Sequence, residues 1–229
     1  ERILQIASVI GTIVPFTLLR AAAEIEGDEL RHHISRLQTA EFLYEIKRFP
    51  EVEYAFKHAI TREAAYGELS NDQRLFWHRR ILEALESNDQ PHSHDHVEKL
   101  AHHAFCSELW EKAVGYLKNA GDAAFSRSSF RNAVLLYERS LDALRHLPDS
   151  SDNARRGIDL RFDIRNALFL LNEFKRGFEY LEEAKEAAQA LNDQDRLGKL
   201  LTWVTAYWNL VGKSEQALIS GRQALEHSV

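Results

Sequence analysis

The sequence contains no methionine, one cysteine, four prolines and ten glycines among its 229 residues. The single cysteine, Cys106, excludes an internal disulfide and favours a reducing compartment, so we expect a cytoplasmic protein. Few prolines and glycines leave room for long helices. Because methionine is absent and the first residue is Glu1, we expect a piece of a longer polypeptide.

Long apolar runs and excess positive charge are also missing. No apolar stretch approaches the ~20 residues that cross a bilayer, so we expect no membrane contact. The net charge is −6; residues 1–90 hold 11 Lys and Arg against 15 Asp and Glu, and the remainder holds 18 against 20. Neither part matches a phosphate backbone electrostatically, so nucleic acid is not an expected partner.

Three short helices are predicted at the start of the chain. Apolar patterns predict the first over residues 2–10 and the second over FTLLRAAAE (16–24). The third is predicted in DELRHHISRLQTA, where Leu30 and Ile34 lie four residues apart on one face. Asp28 is the predicted N-cap of this third helix.

A small β-hairpin is predicted next, in FLYEIKRFPEVEYAFKH, with RFPE as its turn. Residues that alternate with a period of two are Phe42, Tyr44 and Ile46, then Val52, Tyr54, Phe56 and His58. Thr61 is predicted to cap a short helix, and Ser70 and Gln73 have the capping-box spacing that opens another. Three helices, a hairpin and further helix is the order of a winged helix-turn-helix domain, which we assign to residues 1–90.

The rest of the chain, residues 91–229, is predicted to be helical and repetitive. The segments WEKA (110–113), FRNA (130–133), FKRG (174–177) and SEQA (214–217) each open a predicted helix after a turn. The first two segments are one helix apart, and each later segment follows the one before it by one helix pair. This spacing predicts a helical solenoid. The pattern resembles tetratricopeptide repeats in an incomplete array. The predicted fold is therefore mainly α: a winged helix followed by a tetratricopeptide-like α-solenoid.

A winged helix followed directly by such repeats resembles the STAND class of signal-transducing ATPases. The similarity is clearest in LQIASVIG, in LRHHISRLQTAEFLYE and above all in the stretch from Glu41 to Leu69. Bacterial members of this class often carry an adenylate or guanylate cyclase domain. The resemblance implies that the repeats sense a partner and that the winged helix relays that state to an upstream nucleotide-binding domain in cis. It implies that ATP or ADP binds through that domain, with no cofactor in this segment.

His58 is the residue to which the resemblance gives a specific role. The class has a Met-His-Asp motif whose His contacts the phosphate of bound ADP, and FKHAI places His58 there, with Lys57 and Ala59 in place of Met and Asp. The strand pattern alone predicts a core histidine that faces inward with Tyr54 and Phe56. A catalytic base would need a nucleophile or acidic partner that the local sequence does not suggest. The core and nucleotide-sensing interpretations both remain open.

Histidines are concentrated in PHSHDHVEKLAHH (91–103), which raises the question of a metal site. The adjacent His102 and His103 would point about 100° apart on a helix, and no HExxH or cysteine pattern accompanies them. We therefore predict solvated or capping histidines and no metal. Asp95 and Glu98 are predicted to form the start of a helix and its capping partner.

The first helices of the predicted repeats, at about 95–106, 158–171 and 196–211, should line a groove for a protein or peptide. Trp203 is the predicted apolar anchor, although it could instead only pack against its neighbours. The predicted partner-binding residues are Asp95, Glu98, His102, Asp159, Asn166, Lys199, Trp203 and Asn209.

The sequence predicts no enzyme activity for this segment. VGKSE (211–215) resembles the end of a phosphate loop, but Tyr207 stands where that motif has Gly and no strand precedes it. We predict a turn there, with Ser214 as an N-cap. The leading hypothesis is a regulatory, protein-binding segment of a signalling ATPase. A DNA-binding transcription regulator and a plain repeat adaptor are the alternatives.

Overall fold

The computed structural model describes residues 1–87 and 94–227, and these residues form twelve helices and one three-stranded antiparallel sheet. The fold is mainly α, as predicted. The chain divides into two compact units, Glu1–Leu109 and Trp110–Val229. Within the described ranges, no helix is both long enough and apolar enough to cross a membrane.

The first unit combines six helices with the sheet. Its elements in chain order are α1 (Arg2–Ile10), β1 (Ile13–Pro15), α2 (Phe16–Ala23), α3 (Gly27–Thr39), β2 (Leu43–Lys47), β3 (Glu53–Phe56), α4 (Ala59–Gly67), α5 (Asn71–Glu86) and α6 (His94–Cys106). The strand order is β1-β3-β2, so that β3 lies in the middle. The predicted order of helices, hairpin and further helix is thus confirmed, whereas β1, between the first two helices, was not predicted.

One face of the sheet is buried, and the other is not. Val14 pairs with Tyr54, and Leu43 pairs with Phe56, and all four are buried. The apolar alternation that predicted β2 lies on the opposite face, because Tyr44 is exposed. Period-two alternation therefore located this strand correctly but did not identify its buried side.

Two predicted helix starts are wrong by two or three residues. Helix α3 begins at Gly27 with Glu26 as its N-cap, and Asp28 lies in its first turn, where an acidic residue is equally favourable beside the helix dipole. Helix α4 begins at Ala59, ahead of Thr61. By contrast, the capping box at the start of α5 is confirmed, since each partner's side chain binds the other's backbone N–H.

Helix α6 belongs to the first unit, because it packs against α5. The sequence had assigned residues from 91 onward to the repeats, whereas the division into units falls after Leu109. Asp95 lies inside α6, which begins at His94, so it is a first-turn residue rather than a cap.

The second unit consists of six helices, each packed against the next in the chain. They are α7 (Trp110–Ser126), α8 (Phe130–Leu144), α9 (Ser151–Leu170), α10 (Phe174–Ala190), α11 (Gln194–Leu210) and α12 (Ser214–Glu226). The four segments WEKA, FRNA, FKRG and SEQA open α7, α8, α10 and α12, as predicted.

One turn geometry recurs between these helices. A residue with positive φ follows the helix: Ser128, Asn172, Asn192 or Gly212. The N–H of the next residue then donates to the carbonyl five positions back, as from Glu173 to Leu168 at 2.9 Å. This is the hydrogen bond of a Schellman-type helix end, and it satisfies a terminal carbonyl. VGKSE forms the last of these turns, but Ser214 is the first residue of α12 and not its cap.

Small residues let the paired helices approach closely, as the repeat pattern predicted. Ala113, Ala133, Gly177 and Ala217 are all buried. A Cβ at Gly177 of α10 would meet Arg165 and Leu168 of α9 at 3.7 Å, which is ordinary van der Waals contact. The second unit is therefore a tetratricopeptide-like stack of helical hairpins.

Candidate functional site

The second unit contains an apolar pocket between α9, α10 and α11, which we call the α9–α11 pocket. Its volume is about 420 Å³. The lining residues are Arg165, Phe169, Phe174, Gly177, Phe178, Leu181, Trp203, Ala206, Tyr207, Asn209 and Leu210. A concave site with apolar walls and a few polar groups is the usual form of a ligand-binding pocket.

Aromatic rings build the walls because the helices present them in contacting pairs. Phe178 of α10 stacks on Tyr207 of α11, with ring centroids 4.1 Å apart, and meets Trp208 edge to face at 4.9 Å. Phe169 and Phe174 meet edge to face across the turn between α9 and α10, at 5.3 Å. Rings held by such contacts give the pocket rigid sides.

Arg165 supplies a buried positive charge, since only 7% of its surface is exposed. Its guanidinium lies 3.6 Å from the ring centroid of Trp203 and 4.9 Å from that of Phe169, and it donates to Asn166 Oδ1 at 3.1 Å. In the described part of the chain no ion pair joins Arg165 to a carboxylate. Burial lowers the pKa of this guanidinium, because water that would stabilise the charge is removed.

The structure places three of the predicted partner-binding residues in or beside this pocket. Trp203 and Asn209 line it, and both are exposed to solvent in part. Asn166 reaches it through the hydrogen bond from Arg165. Lys199 is exposed on α11, four residues before Trp203 and therefore about one helical turn away.

Asp159 has a different environment from these residues. Its carboxylate accepts two hydrogen bonds from Arg196 of α11, at 2.8 and 2.7 Å. This fork-to-fork pair joins α9 to α11. The Asp159 carboxylate therefore connects α9 to α11 through its ion pair. The partner-binding role predicted for Asp159 stays a prediction.

Asp95, Glu98 and His102 lie on α6, in the first unit. Asp95 and His102 are exposed, and Glu98 is half-buried. The eight residues predicted to bind a partner are thus divided between the two units. Their proposed partner contacts remain predictions.

His58 does not face the core, and this part of the prediction is wrong. Strand β3 ends at Phe56, and the N–H of Lys57 donates to the Phe42 carbonyl at 3.0 Å. The alternation that runs through His58 therefore continues beyond the strand itself. His58 is exposed and is the N-cap of α4, without a side-chain capping bond. Its nucleotide-sensing role stays a prediction.

An exposed ion pair lies next to His58, at the end of the hairpin. Lys57 Nζ lies 3.0 Å from a carboxylate oxygen of Glu41. The hydrogen bond and the charge of Lys57 lower the pKa of the Glu41 carboxyl. The segment that holds His58 is therefore bounded by a backbone bond and an ion pair.

Three histidines come together between α5 and α6. His78 Nδ1 lies 2.9 Å from His103 Nδ1, and both residues are buried, while His102 is exposed. One nitrogen from each of the three rings lies within 4.8 Å of the corresponding nitrogens of the other two. The prediction that the histidines of residues 91–103 are solvated or capping is wrong for His103, which is buried. His92 lies outside the described residues.

No direct signal in the sequence identifies His78 or Arg165. Each lies on a helix face that becomes buried only through packing on another helix. A charged or polar residue inside an apolar helical stripe is the one available signal, and it requires the correct helix register.

Comparison with known proteins yields similarity in solved structures alone: no family model matches the chain, and no curated protein does. A structure titled MamA MSR-1 C2 has a TM-score of 0.39 and 16% identity, covering 66% of this chain and 87% of that one. The Pyrococcus horikoshii Signal Transduction ATPase with Numerous Domains, PH0952, with a tetratricopeptide repeat sensor, has a TM-score of 0.42 and 12% identity. That match covers 99% of this chain and 44% of PH0952. Apo RapI has a TM-score of 0.44 and 10% identity, covering 88% and 61%.

At these scores and identities, the similarities carry no argument about function. The class of the second unit rests on its own helical hairpins: it is a tetratricopeptide-like repeat array.

Proposed function

We propose that the second unit binds a partner protein and that the α9–α11 pocket receives an apolar side chain of that partner. The observation that carries this proposal is an open, aromatic-walled pocket with the buried cation of Arg165 in its lining. Apolar anchors that fill pockets contribute most of the binding energy in protein interfaces.

The partner segment should carry a carboxylate beside its apolar side chain. Arg165 lies against two ring faces and an amide oxygen, which stabilise its charge less than a carboxylate would. A guanidinium binds a carboxylate through two parallel hydrogen bonds, and partial burial strengthens such a pair. Asn209, at the edge of the pocket, offers an amide for the backbone of the bound segment.

Selection of phage-displayed random peptides on the 229-residue chain tests this function. The selected peptides should combine a large apolar residue with Asp, Glu or a free C-terminus. Trp203→Ala should weaken their binding by about 30-fold, which corresponds to about 2 kcal/mol. Phe76→Ala, which removes an exposed aromatic ring from α5, is the matched control and should leave affinity unchanged.

Two further results separate the parts of this proposal. Arg165→Gln should weaken binding of the acidic peptides but not of versions with an amide in place of the carboxylate. If selected peptides bind Trp203→Ala as tightly as the wild type, the pocket is not the binding site. If selection yields no peptide above background, the proposed function is wrong.

We also propose that the chain is the regulatory segment of a larger signalling ATPase, with nucleotide bound by an upstream domain and a cyclase or another output domain attached. The order of helices and sheet strands in the first unit supports a winged-helix interpretation. The parent sequence upstream of Glu1 should then contain a strand followed by GxxxxGK[ST]. Absence of that motif would exclude this role and leave the DNA-binding regulator and the plain repeat adaptor.

His58 tests the link to nucleotide. An exposed imidazole at the start of α4 is accessible to a phosphate presented by another domain. In the full-length protein, His58→Ala should weaken ADP binding and raise basal activity, whereas His32→Ala, an exposed histidine of α3, should change neither. Unchanged ADP affinity in His58→Ala would exclude the sensor role.

A further inference from the structure

We propose that His78, His102 and His103 form a binding site for a zinc ion that joins α5 to α6. The three rings converge from two helices, with centroids 5.1 Å apart for His78 and His103, 5.5 Å for His78 and His102, and 5.1 Å for His102 and His103. Imidazole nitrogen is a preferred ligand of zinc, and three protein ligands with a fourth position open is a common zinc arrangement.

The nitrogen distances are close to those that zinc requires. Two nitrogens bound to a tetrahedral zinc ion lie about 3.3 Å apart, because each Zn–N bond measures about 2.0–2.1 Å. His78 Nδ1 and His103 Nδ1 are 2.9 Å apart, so the two rings need to separate by only a few tenths of an ångström. One donor nitrogen of each ring lies within 4.8 Å of the other two, and rotation of the exposed His102 ring would close the remaining distance.

The second ring nitrogen of His78 has a hydrogen-bond partner that can orient the ring. The Tyr66 hydroxyl lies 3.2 Å from His78 Nε2. When Nδ1 binds the metal, Nε2–H donates to Tyr66, which fixes the ring in the manner of an outer-shell partner.

Cys106, on the same helix, would supply a fourth ligand. Cys106 Sγ lies 3.9 Å from both ring nitrogens of His102, one helical turn away. A thiolate would also offset the positive charges of Arg74 and Lys99, which act on His78 and His103 and disfavour a cation. Water is the alternative fourth ligand.

Cobalt(II), used as a spectroscopic substitute for zinc, tests the site in the chelator-treated 229-residue chain. We expect one equivalent of Co²⁺ to give the visible absorption of a tetrahedral site and Zn²⁺ to displace it. Zn²⁺ should also raise Tm, because it binds only the folded arrangement of the three rings. A near-ultraviolet thiolate band that is lost in Cys106→Ser would identify Cys106 as the fourth ligand, and the visible bands should persist in that variant.

His102→Ala is the decisive variant, because the exposed ring can be removed without opening the core. It should weaken Zn²⁺ binding by more than about 100-fold, since loss of a mere outer-shell partner lowers affinity by about 10–100-fold. His32→Ala is the matched control and should bind as the wild type does. His103→Gln should also abolish binding, provided that circular dichroism shows it folded.

Three results would overturn the proposal. One is a folded wild-type chain that takes up neither ion. Another is equal affinity in His102→Ala and His32→Ala, which would mean adventitious binding elsewhere. The third is loss of the visible bands in Cys106→Ser, because the metal would then depend on the exposed His102 and Cys106 pair instead of the three histidines.

Discussion

Replacing Gly121 by alanine tests the packing of α7 against α8, on which the repeat stack depends. A Cβ at this position would lie 2.4 Å from Tyr137 Cε1 and 2.6 Å from Cδ1, distances that real Cβ contacts do not show. Tyr137 is buried, and its hydroxyl donates to Asp122 Oδ1 at 2.9 Å. The hydroxyl bond to Asp122 therefore ties the ring to α7 and leaves it little freedom to move away from Gly121.

Two opposing effects decide the sign of this change. Alanine is favoured over glycine inside a helix by about 1 kcal/mol. Overpacking a filled interior is unfavourable by about 1–3 kcal/mol, and the bond between Tyr137 and Asp122 places this site toward the upper end. We therefore expect Gly121→Ala to lower the free energy of unfolding by about 1–2 kcal/mol.

Gly115 of the same helix provides a matched control. It is exposed, and a Cβ there would meet nothing within 4 Å. Gly115→Ala should raise the free energy of unfolding by about 0.5–1 kcal/mol, since only the helix preference acts. The same chemical change in one helix should thus have opposite effects at two positions.

Urea unfolding followed by circular dichroism measures both variants. Tyr137→Leu should remove the clash, so Gly121→Ala made in that background should be neutral or stabilising, and the coupling between the two positions should exceed about 1 kcal/mol. Equal stabilisation by Gly121→Ala and Gly115→Ala would refute the close approach of α7 and α8 at this point.

The other predictions concern a cap and a titrating group. Ser150 Oγ accepts from the N–H of Asn153 at the start of α9, so Ser150→Ala should lower the free energy of unfolding by about 1 kcal/mol in urea, whereas Ser151→Ala, in the first turn, should change it little. Partial burial raises the pKa of Asp193, but hydrogen bonds from Arg196 lower it more, so the folded value lies below the usual one. The stabilisation that Asp193 gives to the folded state is therefore complete at pH values above its unfolded pKa of about 3.9. This stabilisation is lost as the pH falls through the folded pKa. Thermal unfolding should show a steeper acid decline for the wild type than for Asp193→Asn, and parallel curves would contradict this.

Local sequence patterns predicted most of the helix starts. The starts of α7, α8, α10 and α12 are set by residues that lie next to them in the chain, because each helix begins two residues after a turn residue with positive φ. The capping box of Ser70 and Gln73 is local in the same sense. Such features depend on a few consecutive residues, which is why sequence reasoning located them to the residue.

The hairpin has features that local sequence patterns do not determine. The pairing of β2 with β3 shifts between Glu45 and Lys47, and β3 ends at Phe56. Both facts depend on contacts between the strands. The alternation in the sequence continues through His58 and indicates neither the shift in pairing nor the end of β3. The inward orientation predicted for His58 failed for that reason, and its exposure changes the experiment: His58→Ala removes no core packing, so an effect on ADP binding would not be a consequence of unfolding.

The histidine cluster shows the same limit over a longer distance. Adjacent residues on one helix point about 100° apart, which argued against a shared role for His102 and His103. That argument holds for a ligand approached by one helix alone. Helix α5 passes so close to α6 that the ring of His78 meets both of the other rings. His78, which lies 25 residues before His103 in the chain, is thus a third donor that brings the three rings together although His102 and His103 diverge on their own helix. Because the exposed His102 can be removed without opening the core, loss of zinc binding in His102→Ala would report on this convergence itself.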